Sequence, residues 1–262
     1  MNSINRKKII QRYYLRRAED YDRQKRRTWK TDRGFGIEVI NQMLEPLATF
    51  QDRLVLEVGV GSGRNALSVM ENVKPHFVGL DLSREMLGLA RTKMARYKQS
   101  CDLILADAEH LPFTNAAFDA IICMSTMHYF ESQKAILEKF STVLNGRGVF
   151  IFGDLTIHEA DNQGFFEKLE RTLSKAHAGY CKPTEMQEMI KRCGFHALKT
   201  KTTAYRKTYR SLMEDKGEYF NVAAGTLQKI AHEATAEAKT QYQLTNTELT
   251  LYYTVITALK QN

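Results

Sequence analysis

Cysteine, proline and tryptophan are scarce: the 262 residues hold four, four and one of them. Cys101, Cys123, Cys181 and Cys193 are scattered, with no C-x-x-C pair and no histidine at zinc spacing, so neither a disulfide framework nor a zinc site is expected. They read as reduced thiols of a cytoplasmic protein. No apolar run reaches the length of a membrane-spanning helix, and the basic amino terminus lacks the apolar stretch of a secretory signal. There is no internal repeat or low-complexity tract, and no heptad or apolar stripe from which an oligomeric state could be read. The lysine and hydroxyl residue of a G-x-x-x-x-G-K-[ST] phosphate loop are also missing.

What is present is organised around Leu54 to Leu67. Leu54-Val55-Leu56-Glu57-Val58 is short and apolar apart from Glu57, as suits a strand covered on both faces. Gly59, Gly61 and Gly63 follow at alternate positions, and a helix starts directly after them. A turn without side chains lets a ligand approach the backbone. The spacing departs from the dinucleotide pattern G-x-G-x-x-G, whose third glycine would fall on Arg64.

Strands and helices alternate from there, as in a doubly wound sheet. His76 to Asp81 reads as a second strand whose terminal acid can accept hydrogen bonds from both hydroxyls of a ribose. Leu103 to Asp107 reads as a third and Phe118 to Met124 as a fourth. Ser83 is placed to cap a helix from Arg84, with Met86, Leu87, Ala90 and Met94 inward. Glu131 to Leu144 reads as another helix, Asn145 to Gly148 as a turn, and Val149 to Phe152 as a fifth strand ending near Asp154. Thr184 to Cys193, closed by Gly194, is a helix; Phe195 begins a sixth strand, and Glu248 to Leu259 is the last. Residues 155–182 and 205–243 lie outside this minimal sheet and read as helical insertions, the first placed beyond the strand ends where ligands sit. At 43% hydrophobic content the chain can bury one large core.

The net charge of +8 is confined to one place. Residues 1–33 carry twelve Lys and Arg against four acids, and the remainder is balanced. Within this arm Ile10, Tyr13, Tyr14, Ala18 and Tyr21 recur three or four apart, which predicts a helix with an adhesive face. Residues 1–40 are therefore read as a helical cap or lid, with Tyr14, Tyr21 and Trp29 interleaved among the charges, on a domain of residues 41–262. The same charge could instead serve an RNA or an anionic membrane surface, or simply be solvated.

Glu57 to Gly63 makes E-x-G-x-G-x-G, which resembles motif I of the class I S-adenosylmethionine (SAM)-dependent methyltransferases. The chain is most similar to the small-molecule group that includes the ubiquinone and menaquinone methylating enzymes. Asp81, Asp107-Ala108, Leu111-Pro112-Phe113, the loop Met124 to Tyr129, and Ala18 to Asp22 also look like this family. The resemblance implies a Rossmann-like α/β fold, with a seven-stranded, mostly parallel sheet and SAM as cofactor. It implies cofactor contacts from Glu57, Gly59, Gly61, Gly63, Asp81, Leu82, Asp107, Ala108, Met124 and Tyr21, with Asp107 on the adenine amino group.

Transfer of an activated methyl group needs alignment and exclusion of water more than acid–base chemistry. Where the acceptor must lose a proton, His128 is the best-placed base, with Tyr129, Asp154 and His158 behind it; a loop histidine can equally be a structural hydrogen-bonding residue. No metal constellation is visible. The expected reaction is methylation of a small aromatic or apolar metabolite. The alternatives are an RNA or protein methyltransferase using the basic arm, or a SAM-binding protein without activity. Against a base-amino methyltransferase, no [DNS]-P-P-[YFW] motif follows the fourth strand.

Overall fold

The computed structural model describes residues 3–31, 33–217 and 219–261; the side chains of Ser3, Glu19, Asp20, Asp22 to Thr31, Arg33, Gly34 and Gly217 lie outside that description. The expected Trp29 contribution therefore lies outside the described side chains, as do all four acids of the arm. The chain begins with two helices, α1 (Ser3–Thr31) and α2 (Arg33–Leu44). Then come β1 (Leu54–Val58), α3 (Arg64–Asn72), β2 (His76–Asp81), α4 (Arg84–Met94), β3 (Cys101–Leu105), β4 (Phe118–Met124) and α5 (Gln133–Val143). The carboxyl-terminal half holds β5 (Leu144–Thr156), α6 (Phe165–Leu173), α7 (Pro183–Arg192), β6 (Phe195–Thr208), α8 (Tyr209–Leu212), α9 (Thr226–His232), α10 (Ala236–Gln241) and β7 (Glu248–Lys260).

Seven strands form one sheet in the order β3-β2-β1-β4-β5-β7-β6. β7 runs against the direction of the other six strands, pairing antiparallel with β5 and β6. Strand order reverses between β1 and β4, and a crevice opens at the carboxyl ends of strands at such a point. This is the α/β, doubly wound, seven-stranded and mostly parallel sheet that the sequence predicts.

Alternation along each strand divides the core. Leu56, Ile121, Phe150 and Phe152 pack beneath α5 and α7, whereas Val55, Ala120, Ile122 and Ile151 pack beneath α2, α3 and α4. Helix α4 shows the local logic. Ser83 accepts a hydrogen bond from the Met86 N–H, and Met86, Leu87, Ala90 and Met94 are buried. A third apolar cluster is built by the inserted segments: Phe166, Leu169, Leu173, Leu227 and Tyr242 close on Leu249 and Leu251 of β7. No helix among the described residues is long and apolar enough to cross a membrane.

Several boundaries differ from the sequence reading. Asn145 to Gly148 belong to β5, where a register shift between Phe118 and Ala120 of the partner strand accommodates the extra residues and Arg147 adopts φ 67°. Leu144 starts that strand instead of ending α5. β5 continues to Thr156 because β7 pairs with it residue by residue, as far as Thr156 opposite Tyr252. β6 runs through Thr208, so residues 205–208 are strand and the helical insertion starts at α8. β3 stops at Leu105, and Asp107 caps the short helical turn Ala108–His110. The expected boundary at residue 40 falls inside α2.

Candidate functional site

The crevice lies where β1 turns into α3. Gly59, Gly61 and Gly63 all have left-handed φ, 75°, 54° and 78°. At Gly59 the reason is space as well as conformation, since an added Cβ would stand 2.1 Å from Thr126 Oγ1. The N–H groups of Gly59 and Val60 both donate to the Leu80 carbonyl, at 2.8 and 3.0 Å, tying the turn to the end of β2. Asp81 completes that tie: its carboxylate accepts from Gly61 N–H at 2.8 Å and from Ser83 N–H at 2.8 Å. Burial pushes the Asp81 carboxyl above its usual range, against the pull of these backbone donors.

Glu57 sits beneath the turn, fully enclosed, and accepts from Asn65 Nδ2 at 3.1 Å in the first turn of α3. Burial drives its carboxyl up to about 8, partly offset by Asn65 and Arg64. Glu57 and Gly63 do not line the crevice. Of the residues expected at the cofactor, Gly59, Gly61, Asp81, Leu82, Asp107, Ala108, Met124 and Tyr21 do. The cleft encloses about 1020 Å³ including its open mouth.

Helix α1 crosses the cleft and contributes Arg6, Lys7, Ile10, Tyr14 and Tyr21 to its wall. Lys7 Nζ bonds Asp107 at 2.6 Å and also pairs with Glu109. Burial acts to raise the Asp107 carboxyl, but the Lys7 ammonium and the Glu109 N–H outweigh it and hold the group below the usual carboxylate range. Tyr14 Oη lies 3.0 Å from Tyr129 Oη, so arm and β4 loop meet across the opening. Sequence reasoning missed Arg6 and Lys7. For Lys7 the signal was available, since residue 7 lies one turn before Ile10 on the face that carries Ile10, Tyr14 and Tyr21.

His128 is buried but is not among the cleft-lining residues; its ring stands 4.1 Å from that of Tyr129, which is. Asp154, itself buried at the end of β5, accepts from the Nδ1 of His128 at 2.9 Å. His158, also considered from sequence, instead accepts from the Ala160 N–H at 3.2 Å through Nδ1 and packs 4.9 Å from the Tyr252 ring. No group of three or more His, Cys, Asp or Glu able to hold a metal occurs among the described residues.

Residues 55–148 match the model of the methyltransferase domain family. Over those residues the chain carries a methyltransferase domain of the SAM-dependent kind. It is 29% identical over 152 residues to an uncharacterized protein of Methanocaldococcus jannaschii, covering 58% of this chain and 69% of that one. It is 26% identical over 148 residues to the malonyl-[acyl-carrier protein] O-methyltransferase of Legionella pneumophila, covering 56% of this chain and 49% of that one. The YcgJ protein of Bacillus subtilis shares the fold at a TM-score of 0.75 and 20% identity, over 85% of this chain and 98% of that one.

The crevice fits SAM on its own chemistry. A nucleoside needs a carboxylate for its diol, a polar edge for its base and apolar walls. On the wall of one cleft stand a carboxylate, Asp81, a polar edge made by Asp107 beside the Ala108 backbone, and the apolar side chains of Leu82, Met86 and Phe130. The glycine turn adds bare backbone where a Cβ at Gly59 would collide.

Proposed function

We propose that this methyltransferase acts on a small aromatic or apolar metabolite. The carrying observation is that helix α1 lies over the cleft, so that Ile10, Tyr14 and Tyr21 face Tyr129 and Phe130 across it. Such a wall admits a small molecule and excludes water, whereas a polymer substrate calls for an open, basic groove. The cations of the arm nearest the cleft support the same reading, because they are engaged with carboxylates of the domain.

In this reading Asp81 binds the ribose hydroxyls, and Asp107 with Ala108 holds the adenine. Gly59 and Gly61 give the cofactor its backbone surface, and Leu82, Met124 and Tyr21 enclose it. Glu57 and Gly63 act one layer down by fixing the turn and the start of α3. SAM supplies an electrophilic methyl on a sulfonium. The chain aligns the partners and keeps water out. Where the acceptor carries a proton, His128 is the group to receive it: Asp154 holds the Nδ1 proton and leaves the Nε2 lone pair available.

The test is a transfer assay with methyl-labelled SAM against three fractions of a cell extract: small molecules, total RNA and protein. Label is expected in the small-molecule fraction. Label in RNA, abolished by ribonuclease, would refute the proposal.

A further inference from the structure

Behind Tyr129 lies a second group of titratable side chains, drawn from the β4 loop, α6 and the segment after it. The rings of His128 and His177 are 6.0 Å apart, and Tyr180 stands 5.1 Å from the first and 4.5 Å from the second. Their proton positions are set by carboxylates. A carboxylate only accepts, so Asp154 at 2.9 Å puts the His128 proton on Nδ1 and the lone pair on Nε2. Glu167 Oε2, 3.0 Å from His177 Nε2, does the converse and leaves the His177 lone pair on Nδ1. Burial holds the His177 imidazole below its usual range and so keeps it neutral, against the opposing pull of Glu167.

Glu170 is the third member. It is fully buried on the apolar face of α6, and Lys216 Nζ bonds its Oε2 at 2.6 Å. Its Oε1 and the Nδ1 of His177 have no hydrogen-bond partner among the described residues. The Nε2 of His128 makes no hydrogen bond there either. Glu170 follows Glu167, the partner of His177, by one turn of α6, and both belong to the buried side of this segment. Two enclosed acceptors, Glu170 Oε1 and His177 Nδ1, thus lack a donor among the described residues, and the His128 Nε2 lone pair belongs to the same cluster beside Tyr180. Buried acceptors left unpaired are costly and call for a partner.

We propose that His128, His177 and Glu170 form a subsite for an amine on the methyl acceptor. This rests on the methyltransferase reading above and sharpens it to amine-bearing metabolites. A hydroxyl offers one donor; an ammonium offers three, matching the three acceptors. Charge points the same way. Asp154, Glu167 and Glu170 bring three negative charges, against Lys216 on Glu170 and the exposed Arg171 on Glu167. The Tyr180 ring adds a face suited to a cation.

The experiment is calorimetric titration of the full chain, saturated with S-adenosylhomocysteine, using three probes on one skeleton: benzylamine, benzyl alcohol and benzoate. The amine is expected to bind at least tenfold more tightly than the alcohol, and benzoate more weakly than both. Glu170→Gln should remove that preference. His177→Gln should reduce it, and provides the same readout if the first variant does not fold. Equal affinity for amine and alcohol, no measurable amine binding, or a preference that survives both substitutions would overturn the proposal. So would a structure with amine in which water bridges the three acceptors and the amine lies elsewhere. Failure of S-adenosylhomocysteine to bind the unmodified protein would instead refute the methyltransferase reading.

Discussion

Replacing Glu57 by glutamine tests the least expected feature of the glycine turn, a wholly buried acid beneath it. Burial raises its carboxyl from 4.5 to about 8, so between those values the folded chain holds a proton that the unfolded chain has released. Raising the pH through that window therefore favours unfolding, and this contribution to stability falls from pH 4.5 upward and levels off above 8. From 4.5 to pH 7 is two and a half units, and at about 1.36 kcal/mol each the loss is on the order of 3 kcal/mol. Glutamine keeps the shape and can still accept from Asn65 Nδ2, but it carries no charge at any pH. Urea denaturation of both proteins at pH 5, 6, 7 and 8 isolates the effect, because every other titrating group cancels in the difference. The variant should gain on the parent steadily as pH rises. A difference that is constant across the range, or that moves toward the parent, would refute the assignment of a protonated Glu57 near neutrality.

Other perturbations have equally definite outcomes. Gly59→Ala drives a Cβ to 2.1 Å from Thr126 Oγ1 and should weaken SAM binding more than tenfold by calorimetry while far-UV circular dichroism is kept. Asp81→Ala removes a half-buried charged acceptor and should cost about 1.5 to 3 kcal/mol of SAM affinity; unchanged affinity in a folded variant would withdraw Asp81 from the site. Dialysis against a chelator should leave SAM binding intact, and recovery by an added divalent ion after a loss would reveal a metal site. Deleting residues 1–30 should weaken SAM and abolish transfer with the sheet still folded; retained cofactor affinity with loss of a salt-sensitive RNA interaction would assign the arm to a polymer.

Legibility in the sequence followed the range of the interactions involved. β1, β2, β4 and α4 have the expected bounds because their signals are local: short apolar runs, a glycine turn and a serine cap. The ends of β5 and β6 were not legible. Asp154 to Thr156 and Thr200 to Thr208 are polar and extended only because β7 lies between them and pairs with both. In the site, Asp81 and the glycines could be found by spacing. Lys7 could not be joined to Asp107, a partner a hundred residues away, without the fold. Nor does any pattern link Glu170 to Lys216, since that contact depends on how the two insertions pack on each other.

The basic arm shows how composition can mislead about partners. Its excess charge suggests an electrostatic footprint, yet the described cations on its inner face are directed at this chain. Arg6 lies 3.5 Å from Glu131, Lys7 bridges Asp107 and Glu109, and Arg17 lies 3.9 Å from Asp215 and 5.1 Å from the Tyr13 ring centre. Apart from the exposed Glu131 these groups are largely withdrawn from solvent, so salt screens them weakly. Lys8, Arg12 and Leu15 face outward beside the open edge of β3. The helix therefore has a cohesive inner face and a solvated outer one. Because Lys7 grips the same aspartate assigned to adenine, closing the arm and filling the crevice act on one carboxylate. Lys7→Ala should accordingly change SAM affinity with little change in its salt dependence, whereas an outer-face Lys8→Ala should change neither.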